Sequence, residues 1–206
     1  MVSKLDTAWN LFLEGKTSEA KKLVEQDFSI DTCTDFSLLN LMGYLLLAEK
    51  DYASCTRIFE KYILLAQQNE DKEHEHIGLH QLAMIYRDQG DFHKALKLIE
   101  DEEKIVEEHF PNDNLKKAIN NYEQGYVRLK LNNLDEALTF MNLSLEQSLE
   151  TDDVISQACS YRGIGEIYLA LEDTELSHRH FKRAIELFES VEEFEGIKEI
   201  EELINR

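Results

Sequence analysis

Proline is nearly missing from this 206-residue chain, with Pro111 the single example, and glycine is sparse at eight. So few helix breakers exclude collagen-like and proline-rich chains, and no strand-like alternation points to a β architecture. Cysteine is scarce as well. Cys33, Cys55 and Cys159 are odd in number and none stands at metal or redox spacing from another, so no disulfide framework is expected. Positive charge is in short supply: 22 lysines and arginines face 42 acids, a formal charge of −20. Such a surface repels phosphate backbones and anionic lipids, which argues against nucleic acid and membrane as partners. No apolar run could span a bilayer, and the amino terminus reads as helix rather than secretory leader, so the expected location is cytoplasmic.

Catalytic signatures are missing too. There is no Gly-rich phosphate loop, nucleophile elbow, metal signature or catalytic dyad, so neither an enzyme nor a cofactor is expected. His76 and His80 stand one helical turn apart with His74 close by, a spacing that chelation would accept. No cysteine pair or distant motif completes the set, and no metal is expected.

What the chain does contain is 43% hydrophobic residues in a helical rhythm. Leu79, Leu82, Ala83 and Tyr86 follow the three-four spacing of one helix face, and Phe92, Ala95, Leu98 and Ile99 begin it again. Between them lies Gln89-Gly90-Asp91. Glycine accepts the left-handed conformation that ends a helix, and the aspartate caps the free amides that start the next. The result is a helix, a tight turn and a second helix.

Counted from His76 as position 1, small residues fall at 8 (Ala83) and 20 (Ala95), with bulky ones at 4, 7, 11 and 17. This resembles the tetratricopeptide repeat, a helix hairpin with small residues at 8 and 20 where its helices cross. The frame recurs from Phe36 (Leu39, Met42, Gly43, Leu46, Tyr52, Cys55, Phe59) and from Ala158 (Tyr161, Ile164, Gly165, Tyr168, Ser177, Phe181). From Ala118 it is less regular, with polar Asn121, Gln124 and Arg128 at 4, 7 and 11, and from Met1 it is weak, as a terminal repeat should be. Asp51, Asp91, Asn133 and Asp173 all occupy position 16, where each should cap the second helix. Unit spacings of 35, 40, 42 and 40 residues exceed the usual 34 and look like the long repeats of bacterial peptide-pheromone receptors and of some animal adaptor proteins. With a hairpin expected from Met1 onward, the DNA-reading domain that those receptors carry in front is not expected here.

The resemblance implies an all-α, right-handed superhelical solenoid: one domain over 1–206, with hairpins near 1–34, 36–69, 76–109, 118–151 and 158–191. A capping helix over 192–206 should close the stack, covering it with Val191, Phe194, Ile197, Ile200, Leu203 and Ile204 and turning an acidic face outward. It also implies a concave groove lined from positions 2, 5, 9, 12 and 13. The groove residues singled out there are Asn40, Tyr44, His80, Met84, Arg87, Tyr122, Tyr126, Lys130, Arg162 and Glu166. Arg87, Lys130 and Arg162 would form a basic spot for a carboxylate, or would pair with acidic neighbours such as Asp88 and Glu166. Leu5, Trp9, Phe12 and Leu13 give the first hairpin an apolar face that would suit a homodimer contact, a ligand, or terminal core. The expected function is a scaffold that binds a protein or peptide segment. A peptide-responsive regulatory sensor and a structural homo-oligomer are the alternatives.

Overall fold

In the computed structural model, residues 3–205 are described; Met1, Val2 and Arg206, the outermost residues of the expected first hairpin and capping helix, lie outside them. Eleven α-helices and no strand occupy the described residues. They are α1 (Lys4–Leu13), α2 (Thr17–Val24), α3 (Phe36–Ala48), α4 (Tyr52–Gln68), α5 (Lys72–Asp88), α6 (Phe92–His109), α7 (Asn114–Lys130), α8 (Leu134–Leu149), α9 (Val154–Ala170), α10 (Thr174–Ser190) and α11 (Phe194–Ile204). Among the described residues no helix is long and apolar enough to cross a membrane.

The chain divides into two compact units, with the boundary inside α6 after Leu98. In the first, α1 packs on α2 and α3 on α4, and α4 packs in turn on α5. Its core gathers Leu39, Leu41, Leu45, Phe59, Tyr62, Leu82 and Ile85. In the second, α7 to α11 pack consecutively, and α9 also touches α7 and α11. Ala137, Met141, Ile164 and Ile167 form one of its clusters, and Phe181, Phe188 and Ile200 anchor another. Each unit is thus a succession of helix hairpins.

The small residue at position 8 has a geometric reason. A Cβ on Gly43 would lie 2.5 Å from the Phe59 ring, and one on Gly165 would lie 2.6 Å from the Phe181 ring. Both phenylalanines stand at position 24. A ring from the second helix therefore fills the space that the first helix leaves at its glycine, and burying each such ring contributes on the order of 2 kcal/mol.

Turn geometry repeats with the same phase. Gly15, Lys50, Gly90, Asn132 and Glu172, all at position 15, have φ between 59° and 78°. One position later, Asp51, Asp91 and Asp173 accept from the backbone amides of Ser54, Lys94 and Leu176 at 3.0–3.3 Å. Asn133 departs from the expectation, because its side chain makes no capping bond. Helices α3, α5, α7 and α9 carry caps of their own in Asp35, Asp71, Asp113 and Asp153.

Helix α11 packs on α10 and touches α9. Ile200 is fully buried, with Ile197 and Leu203 packed beside it, but Phe194 is 69% and Ile204 43% exposed.

Candidate functional site

The first unit joins two sets of residues that the sequence kept apart. Phe12 stacks on Tyr44 at 5.9 Å, and Trp9 meets both rings edge-on at 6.0 Å. The Trp9 indole donates to Ser37 Oγ at 3.0 Å. Leu5, Trp9 and Phe12 therefore pack onto their own unit's core, while Leu13 is 76% exposed. Burial pushes the Tyr44 phenol above its ordinary value, against hydrogen bonds with the Asn40 and Gln81 side chains. Asn40 Oδ1 is buried without a hydrogen-bond partner. His80, Met84 and Arg87 follow along α5, all half-buried, and Arg87 lies 3.4 Å from the Asp88 carboxylate.

In the second unit, α7 and α9 bring Tyr122, Tyr126, Lys130, Arg162 and Glu166 into one cluster. Tyr122 and Tyr126 stack at 6.2 Å, and Lys130 stands 4.5 Å above the Tyr126 ring. Arg162 donates from Nη2 to the Tyr122 hydroxyl at 2.6 Å and faces Glu166, which Lys130 approaches from its other oxygen; both ion pairs measure 3.7 Å. Arg162 Nη1 also reaches Glu199 of α11. Two cations thus meet two carboxylates, so the cluster is close to neutral rather than the basic spot one wall of cations would have made. Burial pushes Glu166 up despite Lys130 and Arg162, and burial also carries the Tyr122 phenol far above its usual range. Arg162 Nε is buried and makes no hydrogen bond.

Beside this cluster, α7 and α9 enclose a cavity of about 310 Å³ walled by Leu115, Ile119, Tyr122, Ile155 and Cys159. Ile119 is 39% and Ile155 48% exposed at its rim. Burial pushes the Cys159 thiol up, so it is an apolar wall and not a poised nucleophile.

Two features escaped the sequence. Glu199 sits in an acidic run that reads as a solvated face, and only the fold of α11 against α9 shows it to be a partner of Arg162. The polar residues of the fourth repeat are the second. Asn120 donates to the Ile99 carbonyl at 3.0 Å, Gln124 to Asn120 at 3.1 Å, and Arg128 to the Gln124 side chain at 2.8 Å. Arg128 also pairs with Glu100 and Glu136 and stacks on Phe140. These side chains are less than a tenth exposed, so a satisfied polar ladder replaces the usual apolar contacts. Their three-four spacing along α7 was the available signal.

The histidine segment has structural contacts. His74 stacks on Phe36 at 3.9 Å and bonds Asp71 at 2.8 Å, and His76 is buried 3.6 Å from Glu73. Among the described residues no group of three or more potential ligands could hold a metal ion.

Two family models, each described as tetratricopeptide repeat, match residues 78–101 and 117–190. No curated protein matches the sequence. The fold is similar to BtubC (BKLC) from P. vanneervenii, with a TM-score of 0.73 at 16% identity over 90% of this chain and 78% of that one. It is similar to a putative kinesin light chain with nearly identical TPR-like repeats from Podosopora anserina, with a TM-score of 0.69 at 14% identity over 91% of this chain and 94% of that one. MamA from Desulfovibrio magneticus RS-1 also matches, with a TM-score of 0.62 at 16% identity over 91% and 94% of the two chains. At such identities the likeness shows the fold alone.

Proposed function

We propose that this chain, whose place in the tetratricopeptide repeat family is supported by those two matches and by its structural neighbours, is a scaffold that binds extended peptide segments. A fold of this family is consistent with protein–protein interaction in general; the finer reading concerns position 5. Asn40, His80, Tyr122 and Arg162 occupy that position in four successive repeats. Buried polar atoms without a hydrogen bond cost free energy and are rare, yet Asn40 Oδ1 and Arg162 Nε, one in each unit, are two of them, the second held only by its 3.7 Å ion pair with Glu166. That coincidence of repeat phase carries the reading. A peptide on the first unit supplies a backbone N–H to Asn40 beside the Tyr44 wall, and a peptide on the second supplies a carbonyl or carboxylate to Arg162 beside Tyr122, Tyr126 and the cavity at Ile119. Because these sites are formed before binding, most of the ordering cost falls on the peptide.

Panning a random-peptide display library against the full chain, then titrating selected peptides, tests this. Asn40→Ala removes an orphan acceptor together with the hydrogen bond to Tyr44, so it should move the unfolding midpoint little while weakening peptides that use it about three- to tenfold. Arg162→Lys keeps the charge and loses the fork, and peptides held there should weaken similarly. If both variants bind every selected peptide as tightly as the parent, position 5 is not the binding surface.

A further inference from the structure

The densest basic stretch in this acidic chain is His178-Arg179-His180-Phe181-Lys182-Arg183 on α10, where five of six side chains are basic or titratable to a cation and none is acidic. Arg179, Lys182 and Arg183 stand at i, i+3 and i+4, so their head groups share one helix face and repel one another. Arg183 pairs with Glu186 at 3.0 Å, whereas Arg179 and Lys182 form no ion pair with any described residue. Two uncompensated cations side by side are unexpected in a chain with nearly twice as many acids as bases.

These cations, together with the Glu186 carboxylate that Arg183 holds, line a cavity of about 630 Å³ among α8, α9 and α10, with Leu145 and Tyr161 as its apolar walls. His180 is held there by two tyrosines, stacked on Tyr168 at 5.6 Å and tilted against Tyr161 at 6.0 Å. Burial lowers its affinity for a proton, so near neutral pH it offers a hydrogen bond without adding charge. The concavity is wide enough for a modified side chain and its neighbours. It is also distinct from the α7 and α9 cluster, sharing no lining residue with it.

We propose that this cavity among α8, α9 and α10 binds a phosphate monoester carried on a peptide, with Arg179, Lys182 and Arg183 as the cationic contacts and Tyr161 and Leu145 under the flanking residues. A dianion answers two free cations and one shared cation better than a single carboxylate does, and guanidinium groups meet phosphate oxygens two at a time. The overall charge of −20 opposes any anion at long range. Screening removes that opposition beyond roughly 8 Å at physiological salt, so a short phosphorylated segment is admitted where a long polyanion is not.

The test is fluorescence anisotropy of the full chain with a labelled pool of phosphoserine peptides of randomised flanks, beside the same pool with serine or glutamate in place of phosphoserine. The phosphoserine pool should bind at least tenfold more tightly than either, inorganic phosphate should compete, and binding should weaken as salt rises. The exposed pair Arg179→Glu and Lys182→Glu together should abolish the preference, and Arg179→Gln with Lys182→Gln should reduce it at least tenfold, with helical content unchanged by circular dichroism. Arg162→Lys should leave it untouched, which separates this site from the one at position 5. Equal binding of the three pools, no binding by any, or full retention in the glutamine pair would overturn the proposal. Tighter binding of a single-stranded oligonucleotide than of any phosphopeptide would assign the cavity to nucleic acid instead.

Discussion

Replacing Lys50 and Glu172 with glycine should make the protein more stable, although glycine usually weakens helical proteins. Both residues stand at position 15 with φ near +60°, where an L side chain crowds the following carbonyl. That conformation costs a non-glycine residue about 1–2 kcal/mol, and glycine returns about 0.5–1 kcal/mol of this through its freer unfolded chain. The net gain is about 0.5–1 kcal/mol per site. Neither side chain makes a hydrogen bond or ion pair with a described residue, so nothing else is lost. Sited in different units, the two changes should add, to a total near 1–2 kcal/mol. For a chain of this length that raises the melting temperature by roughly 2–8 °C. Urea and thermal unfolding followed by circular dichroism read it directly. Asn132→Gly is the internal control and should gain less, because asparagine tolerates the left-handed region. Gly90→Ala should lose about 1 kcal/mol or more at the same position. A fall in stability for both Lys50→Gly and Glu172→Gly would refute the strain argument.

Two further outcomes test the packing and the caps. Gly165→Ala puts a Cβ 2.6 Å from the fully buried Phe181 ring and should cost about 1–3 kcal/mol in urea unfolding, part of which Phe181→Leu should restore. Hydrogen bonds from Ser54 hold the Asp51 carboxyl below its ordinary value of 3.8, and Lys94 does the same for Asp91. A depressed acid contributes stability above its unfolded value, so this contribution should be complete above about pH 4 and disappear as pH falls below it. Melting temperatures measured between pH 3 and pH 7 should show this loss, and Asp51→Ala should shrink it.

The helices and their pairing were legible because each depends on neighbours along the chain. Apolar residues three and four apart, a small residue at position 8 and an aspartate or asparagine at position 16 are local signals, and four of the five turns could be placed from them. The left-handed turn residue was legible where it is Gly15 or Gly90 and silent where Lys50 or Glu172 takes the same conformation, because there the hairpin imposes it against the residue's own preference. Asn121, Gln124 and Arg128 looked like defects in the repeat, since residue type shows polarity but not whether a partner waits inside. Only packing from α6 and α8 supplies those partners: Gln147 for Asn121, Glu100 and Glu136 for Arg128, and the Ile99 carbonyl for Asn120, on which Gln124 rests.

Tertiary structure alone decided the electrostatics of the site. Repeat phase put Arg162 and Lys130 on one wall, but whether that wall is basic depends on Glu199, thirty-seven residues further along and delivered by α11. In the same way it drew Trp9 and Phe12 inward against Tyr44, leaving Leu13 outside. Periodicity follows from covalent spacing on a helix and can be read along one dimension. Charge compensation and burial are sums over everything that comes near, and only the folded chain brings those groups together.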